Sequence, residues 1–135
     1  MLSPAQNEFS WVAGLLDQAV YDERIGRMLH VALAELGQLC GWAAYDAGHH
    51  TLAQRYYVAA LHATHSADDR PLGAHILSCM AVQAARQGQP AEAVTLIETA
   101  LAGMRDQQIP SLLAELYGRK RRPSRQRVTC WVAPL

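Results

Sequence analysis

The sequence predicts an all-α protein of about five to six antiparallel helices, and three observations predict it. Apolar residues recur every three or four positions through most of the chain, which is the spacing of one helix face. Alanine is abundant and β-branched residues are few, a composition that favours helix. Proline falls where helical stretches begin and glycine where they end, the asymmetry expected of helix starts and stops. With 135 residues there is room for one domain with a modest core, and half of the residues are hydrophobic.

Taken in order, Ser3-Pro4 reads as a cap followed by proline at the first helical position. Phe9, Val12, Ala13, Leu16 and Ala19 or Val20 then share a face. A second helix is expected from near Asp22 to Ala47. Its apolar positions include Ile25, Met28, Leu29, Ala32, Leu33, Leu36, Leu39, Ala43 and Ala44, and Gly48 stops it. A third starts near Thr51 and carries Leu52, Ala53, Tyr56, Tyr57, Ala60, Leu61 and Thr64. Ser66 to Pro71 is the turn after it. A fourth spans about residues 72–87 and is closed by Gly88. A fifth opens at Gln89-Pro90 and runs through Ala93, Leu96, Ile97, Ala100, Leu101 and Met104. Ile109-Pro110-Ser111 breaks that helix, and a short sixth covers Leu112 to Tyr117. The domain reads as residues 1–118, with 119–135 a basic tail expected to be disordered.

Charge and cysteine usage exclude several function classes. All twelve acidic residues lie at or before Glu115, against six of the twelve basic ones, so residues 1–118 carry a net −6. The remaining six, Arg119, Lys120, Arg121, Arg122, Arg125 and Arg127, give the last stretch +6. The body should therefore repel nucleic acid, and only the tail could attract it. Cys40, Cys79 and Cys130 are odd in number and far apart, which argues against a disulfide framework and for the cytoplasm. No stretch is long enough and apolar enough to span a membrane, and no signal peptide is expected.

The chain repeats itself. Gly48, Ala53, Ala60 and Leu61 recur as Gly88, Ala93, Ala100 and Leu101, each displaced by 40 positions. The glycine suits a tight turn between antiparallel helices, and the first alanine suits their close crossing. The last alanine leaves space for stacking of the next hairpin. The stretch GWAAYDAGHHTLAQRYYVAAL resembles a tetratricopeptide repeat (TPR). Gly41, Gly48, Ala53, Tyr57 and Ala60 take its signature places, while Ala44 stands where an aromatic is usual. Ala81, Gly88, Ala93, Ile97 and Ala100 match in the second copy. The repeat units are about residues 34–67 and 74–107, longer in period than the usual ~34 residues.

A narrower likeness covers roughly residues 25–117, which are similar to the C-terminal repeat domains of actinobacterial helix-turn-helix regulators. The resemblance implies a TPR-like α-α superhelix and a regulatory, transcription-related role. Nothing before Asp22 could supply the DNA-binding domain of such regulators, so a truncated, excised or stand-alone relative is expected. The tail departs from the family. Its Arg-, Pro- and Ser-rich composition fits either a basic interaction tail or a shifted reading frame in a GC-rich gene.

Repeat arrays bind along the first helix of each hairpin. That register nominates Glu35, Gln38, Trp42, Tyr45 and Asp46 in the first copy and His75, Ser78, Val82 and Arg86 in the second. Trp42 and Tyr45 offer flat apolar area with a polar handle, and Asp46 and Arg86 offer opposite charges. The competing reading packs Trp42 and Tyr45 against the first helix. His62 and His65, three apart on the third helix, are the only metal candidates, and no cofactor is expected. No nucleophile elbow or phosphate-binding glycine loop occurs. The chain thus reads as a binding module for a protein, a peptide or a small ligand rather than an enzyme. Because two hairpins are few for burying a stacked core, a homo-oligomer is expected. A small-molecule or peptide sensor is the first alternative. A metal- or cofactor-dependent enzyme using the helical groove is the second.

Overall fold

The computed structural model describes residues 3–18, 21–106 and 109–121. Among them there are six helices and no strand. They are α1 (Pro4–Gln18), α2 (Glu23–Asp46), α3 (His50–Ser66), α4 (Arg70–Arg86), α5 (Pro90–Gly103) and α6 (Pro110–Arg121). The all-α expectation holds, and the chain divides into two compact units, Met1–Asp69 and Arg70–Leu135. No helix among the described residues is long and apolar enough to cross a membrane.

The helix starts follow from local chemistry. At α1, Ser3 Oγ accepts from Gln6 N at 3.3 Å while Gln6 Oε1 accepts from Ser3 N at 2.9 Å, a reciprocal capping box. At α2, Asp22 Oδ1 accepts from Ile25 N at 2.8 Å, and a carboxylate there also suits the helix dipole.

The turns after α2, α3 and α4 share one geometry. After α2, Gly48 N donates to Tyr45 O and His49 N to Ala44 O, at 3.0 and 2.8 Å. After α4, Gly88 N donates to Ala85 O and Gln89 N to Ala84 O, at 3.2 and 2.9 Å. These paired bonds need a left-handed residue, and Gly48 and Gly88 have φ of +85° and +78°. The Ser66–Pro71 turn repeats the bonding with Asp68 N to His65 O and Asp69 N to Thr64 O. There the left-handed place falls to Asp68, at φ +52°.

In the first unit, α2 is held by α1 on one side and α3 on another. The Phe9 ring meets Tyr56 edge-on at 5.3 Å, and Gly37 admits both Phe9 and Ala60 to the α2 backbone. Gly41 does the same for the ring of Tyr57, which is 1% exposed. In the second unit Ala74, Ala81, Ala84, Ala93, Ile97, Ala100 and Met104 form the α4–α5 core, closed by Leu116 of α6. Sequence reasoning saw no helix covering this end, and it ended the sixth helix at Tyr117. Instead α6 passes through Gly118 to Arg121, where Lys120 Nζ pairs with Glu98 Oε1 at 3.3 Å. Residues 122–135, which hold the rest of the basic tail, lie outside the described residues.

Candidate functional site

Four of the nine nominated residues are buried. Gln38 (2% exposed) and Tyr45 (9%) on α2, and Ser78 (0%) and Val82 (6%) on α4, face the interior rather than solvent. Asp46 and Arg86 are exposed, and Glu35, Trp42 and His75 are half-buried. The α2 and α4 sets belong to different compact units.

On α2, the Trp42 and Tyr45 rings lie 5.6 Å apart, and Tyr45 stands 5.4 Å from the His50 ring, edge towards face. Offset and edge-on ring pairs suit the aromatic quadrupole. The trio fastens the end of α2 to the start of α3, so Tyr45 is structural and Trp42 is partly so.

On α4, His75 and Ser78 join two residues that sequence reasoning did not nominate, Glu115 and Arg119 of α6. Glu115 Oε1 accepts from Arg119 Nη2 at 2.8 Å, Arg119 Nε at 3.1 Å and Ser78 Oγ at 3.1 Å. His75 Nδ1 stands 3.6 Å from the same oxygen. Burial by itself would raise the Glu115 pKa. The hydrogen bond and charge of His75, and then those of Arg119, outweigh it and lower the value to about 2.

A serine, a histidine and a carboxylate in one cluster invite a nucleophilic reading, and the geometry opposes it. In a triad the serine donates to imidazole and the carboxylate orients the other ring nitrogen. Here Ser78 Oγ lies 2.7 Å from His75 O and 3.1 Å from Glu115 Oε1, so its one proton goes to the backbone or the carboxylate. The cluster ties α4 to α6. Its one buried polar atom without a partner is Arg119 Nη1.

His62 and His65 are both exposed, and among the described residues no three potential ligands gather to hold a metal ion. Burial pushes the Cys40 thiol up to about 11, away from reactivity. Cys79 is disulfide-bonded, contrary to the expectation drawn from cysteine spacing.

Two further features escaped sequence reasoning. A cleft of about 370 Å³ opens beside the α2 start and the α3 end, lined by Tyr21, Glu23, Arg27, His30 and Asp68 among others. Arg27 Nε donates to Ala67 O there at 2.8 Å, and His30 Nδ1 lies 2.7 Å from Gly26 O. The second feature is an apolar face. Ile25 (49% exposed), Met28 (62%) and Leu39 (41%) project from α2, and Trp11 (67%) from α1.

Fold and surface together define an all-helical protein with exposed apolar side chains along α2. No protein-family model, curated protein or solved structure matches the chain.

Proposed function

We propose that the chain is a TPR-like recognition module that binds a protein partner, in the regulatory, transcription-related setting its sequence resembles. The exposed face of α2 carries this reading. Three large apolar side chains at 41–62% exposure stand on a helix that α1 and α3 hold from other sides. Contiguous apolar surface on a folded chain marks a place where something docks. Trp42 and Asp46 border that face, whereas Gln38 and Tyr45 are buried on α2 and Ser78 and Val82 are buried on α4 in the other unit. The cleft beside Arg27 and His30 favours a second reading, a sensor for a small polar ligand or peptide.

Native mass spectrometry of freshly purified protein tests the first reading. Species heavier than the 14.8 kDa chain are expected, and Met28→Glu/Leu39→Glu should reduce them to the bare chain without loss of helical circular dichroism. A bare chain from both proteins would count against recognition through α2. A retained small molecule that survives the double substitution would favour the sensor.

A further inference from the structure

We propose that the occupant of the α2 face is a second copy of this chain, packed antiparallel about a twofold axis, α2 against α2. The proposal rests on the recognition reading above and adds the partner and its orientation. Ile25, Met28, Ala32, Leu36, Leu39 and Ala43 follow one another at steps of three or four, so they form one stripe. The stripe is about 27 Å long at 1.5 Å per residue. Gly26, Ala34, Gly37 and Gly41 on the other sides of α2 are buried, and Gly37 and Gly41 take up Phe9, Ala60 and Tyr57.

Charge selects the partner. Arg24 lies at the start of the stripe and Asp46 at its end, and both are exposed. Neither has an ion-pair partner among the described residues. Parallel packing of two such helices would set Arg24 on Arg24 and Asp46 on Asp46. Antiparallel packing sets Arg24 of each copy against Asp46 of the other, twice by symmetry. Within one helical turn of that register Ile25 faces Ala43, Met28 faces Leu39 and Ala32 faces Leu36. The stripe is therefore complementary to itself in one orientation only, which is the requirement for a twofold interface.

One residue opposes the association. Glu35 borders the stripe near its midpoint, so the axis brings the two Glu35 side chains together. Desolvation and the nearby Asp69 already raise its pKa within one chain. Removing that carboxylate should therefore tighten the dimer, an effect that few surface substitutions would share.

Sedimentation equilibrium of the full chain across micromolar concentrations provides the test. Wild type should approach twice 14.8 kDa, and Met28→Glu/Leu39→Glu should be monomeric with unchanged helical content. Arg24→Asp and Asp46→Arg should each weaken the dimer about tenfold, since each change counts twice at an exposed pair. Combining them should restore the affinity, and Glu35→Gln should strengthen it severalfold. A dimer indifferent to the α2 substitutions would overturn the proposal, as would charge swaps that add rather than cancel. A monomeric wild type would also overturn it. In that case binding of an apolar fluorescent dye that Met28→Glu/Leu39→Glu abolishes would leave recognition through α2 standing, and no binding would remove both.

Discussion

Substituting Gly41 by alanine sets two opposing effects against each other, and the structure decides between them. In a helix interior, alanine is favoured over glycine by about 1 kcal/mol, because glycine has more backbone freedom to lose. A Cβ at Gly41 would lie 2.6 Å from Tyr57 Cε1, 2.7 Å from Cδ1 and 3.0 Å from Cζ. These are well inside ordinary carbon contact, and three ring atoms are involved at once. Tyr57 is 1% exposed, so its ring has no space into which to swing. Relief requires α2 and α3 to separate, which loosens Ala53 and Ala60 as well. Overpacking of this kind costs about 1–3 kcal/mol. We expect the steric cost to exceed the propensity gain and the variant to lose about 1–2 kcal/mol net.

Gly14 supplies the control. It lies within α1, it is exposed, and nothing stands within 4 Å of where its Cβ would be. Gly14→Ala should therefore show the propensity gain alone, about 0.5–1 kcal/mol of stabilisation. Urea unfolding followed by circular dichroism measures both, with the slope of the transition unchanged. A third variant isolates the contact: in a Tyr57→Leu background, Gly41→Ala should cost measurably less than alone. If Gly41→Ala proves as stable as wild type, the α2–α3 packing described above is wrong. The same follows if its cost is independent of residue 57.

Two further outcomes are expected. Asp68→Gly should stabilise the chain by about 0.5–1 kcal/mol, because glycine adopts the left-handed conformation that Asp68 holds at φ +52° without the Cβ strain; a melt at or below wild type would contradict this. Glu115, lowered from 4.5 to about 2, contributes stability that is present above its unfolded pKa and lost as pH falls from 4.5 towards 2. Its side chain is 30% exposed, so the contribution is about 2 kcal/mol after solvent screening, and Glu115→Gln should flatten the acid limb of the stability profile. An acid limb unchanged by the substitution would show that the α4–α6 cluster is not formed.

What was legible in the sequence was the part set by backbone chemistry. Ser3, Asp22, Gly48 and Gly88 mark helix ends because few side chains do what those places require. Ala53 and Ala93 are 0% and 1% exposed for the same kind of reason, since a close helix crossing admits little else. The Ser66–Pro71 turn was legible but its left-handed residue was not, because Asp68 only tolerates that region and does not advertise it. The end of α6 was misplaced because Gly118 reads as a stop. Its cost of about 1 kcal/mol is offset by the Arg119–Glu115 and Lys120–Glu98 pairs and the burial of Leu116. The nominated residues fared unevenly, since repeat register fixes which side chains share a face but not which face meets solvent. Ser78 and Arg86 were both assigned to one face of α4, and the first is buried while the second is exposed.

The apolar face of α2 has a cause in helix length. This helix has 24 residues and α3 has 17, and they are joined at the end of α2, so about two turns at the start of α2 extend past α3. Ile25 and Met28 lie in that extension. Sequence reading placed them with Leu29, Leu33 and Leu36 as one apolar set, because α2 is apolar over more of its circumference than α1 and α3 cover. In the second unit α4 has 17 residues against 14 in α5, and α6 packs on both. No large hydrophobic on α4 appears among the exposed ones. The two hairpins share their turn glycines and crossing alanines but differ in how fully the first helix is covered. The difference falls on the residues through which we infer that two copies associate.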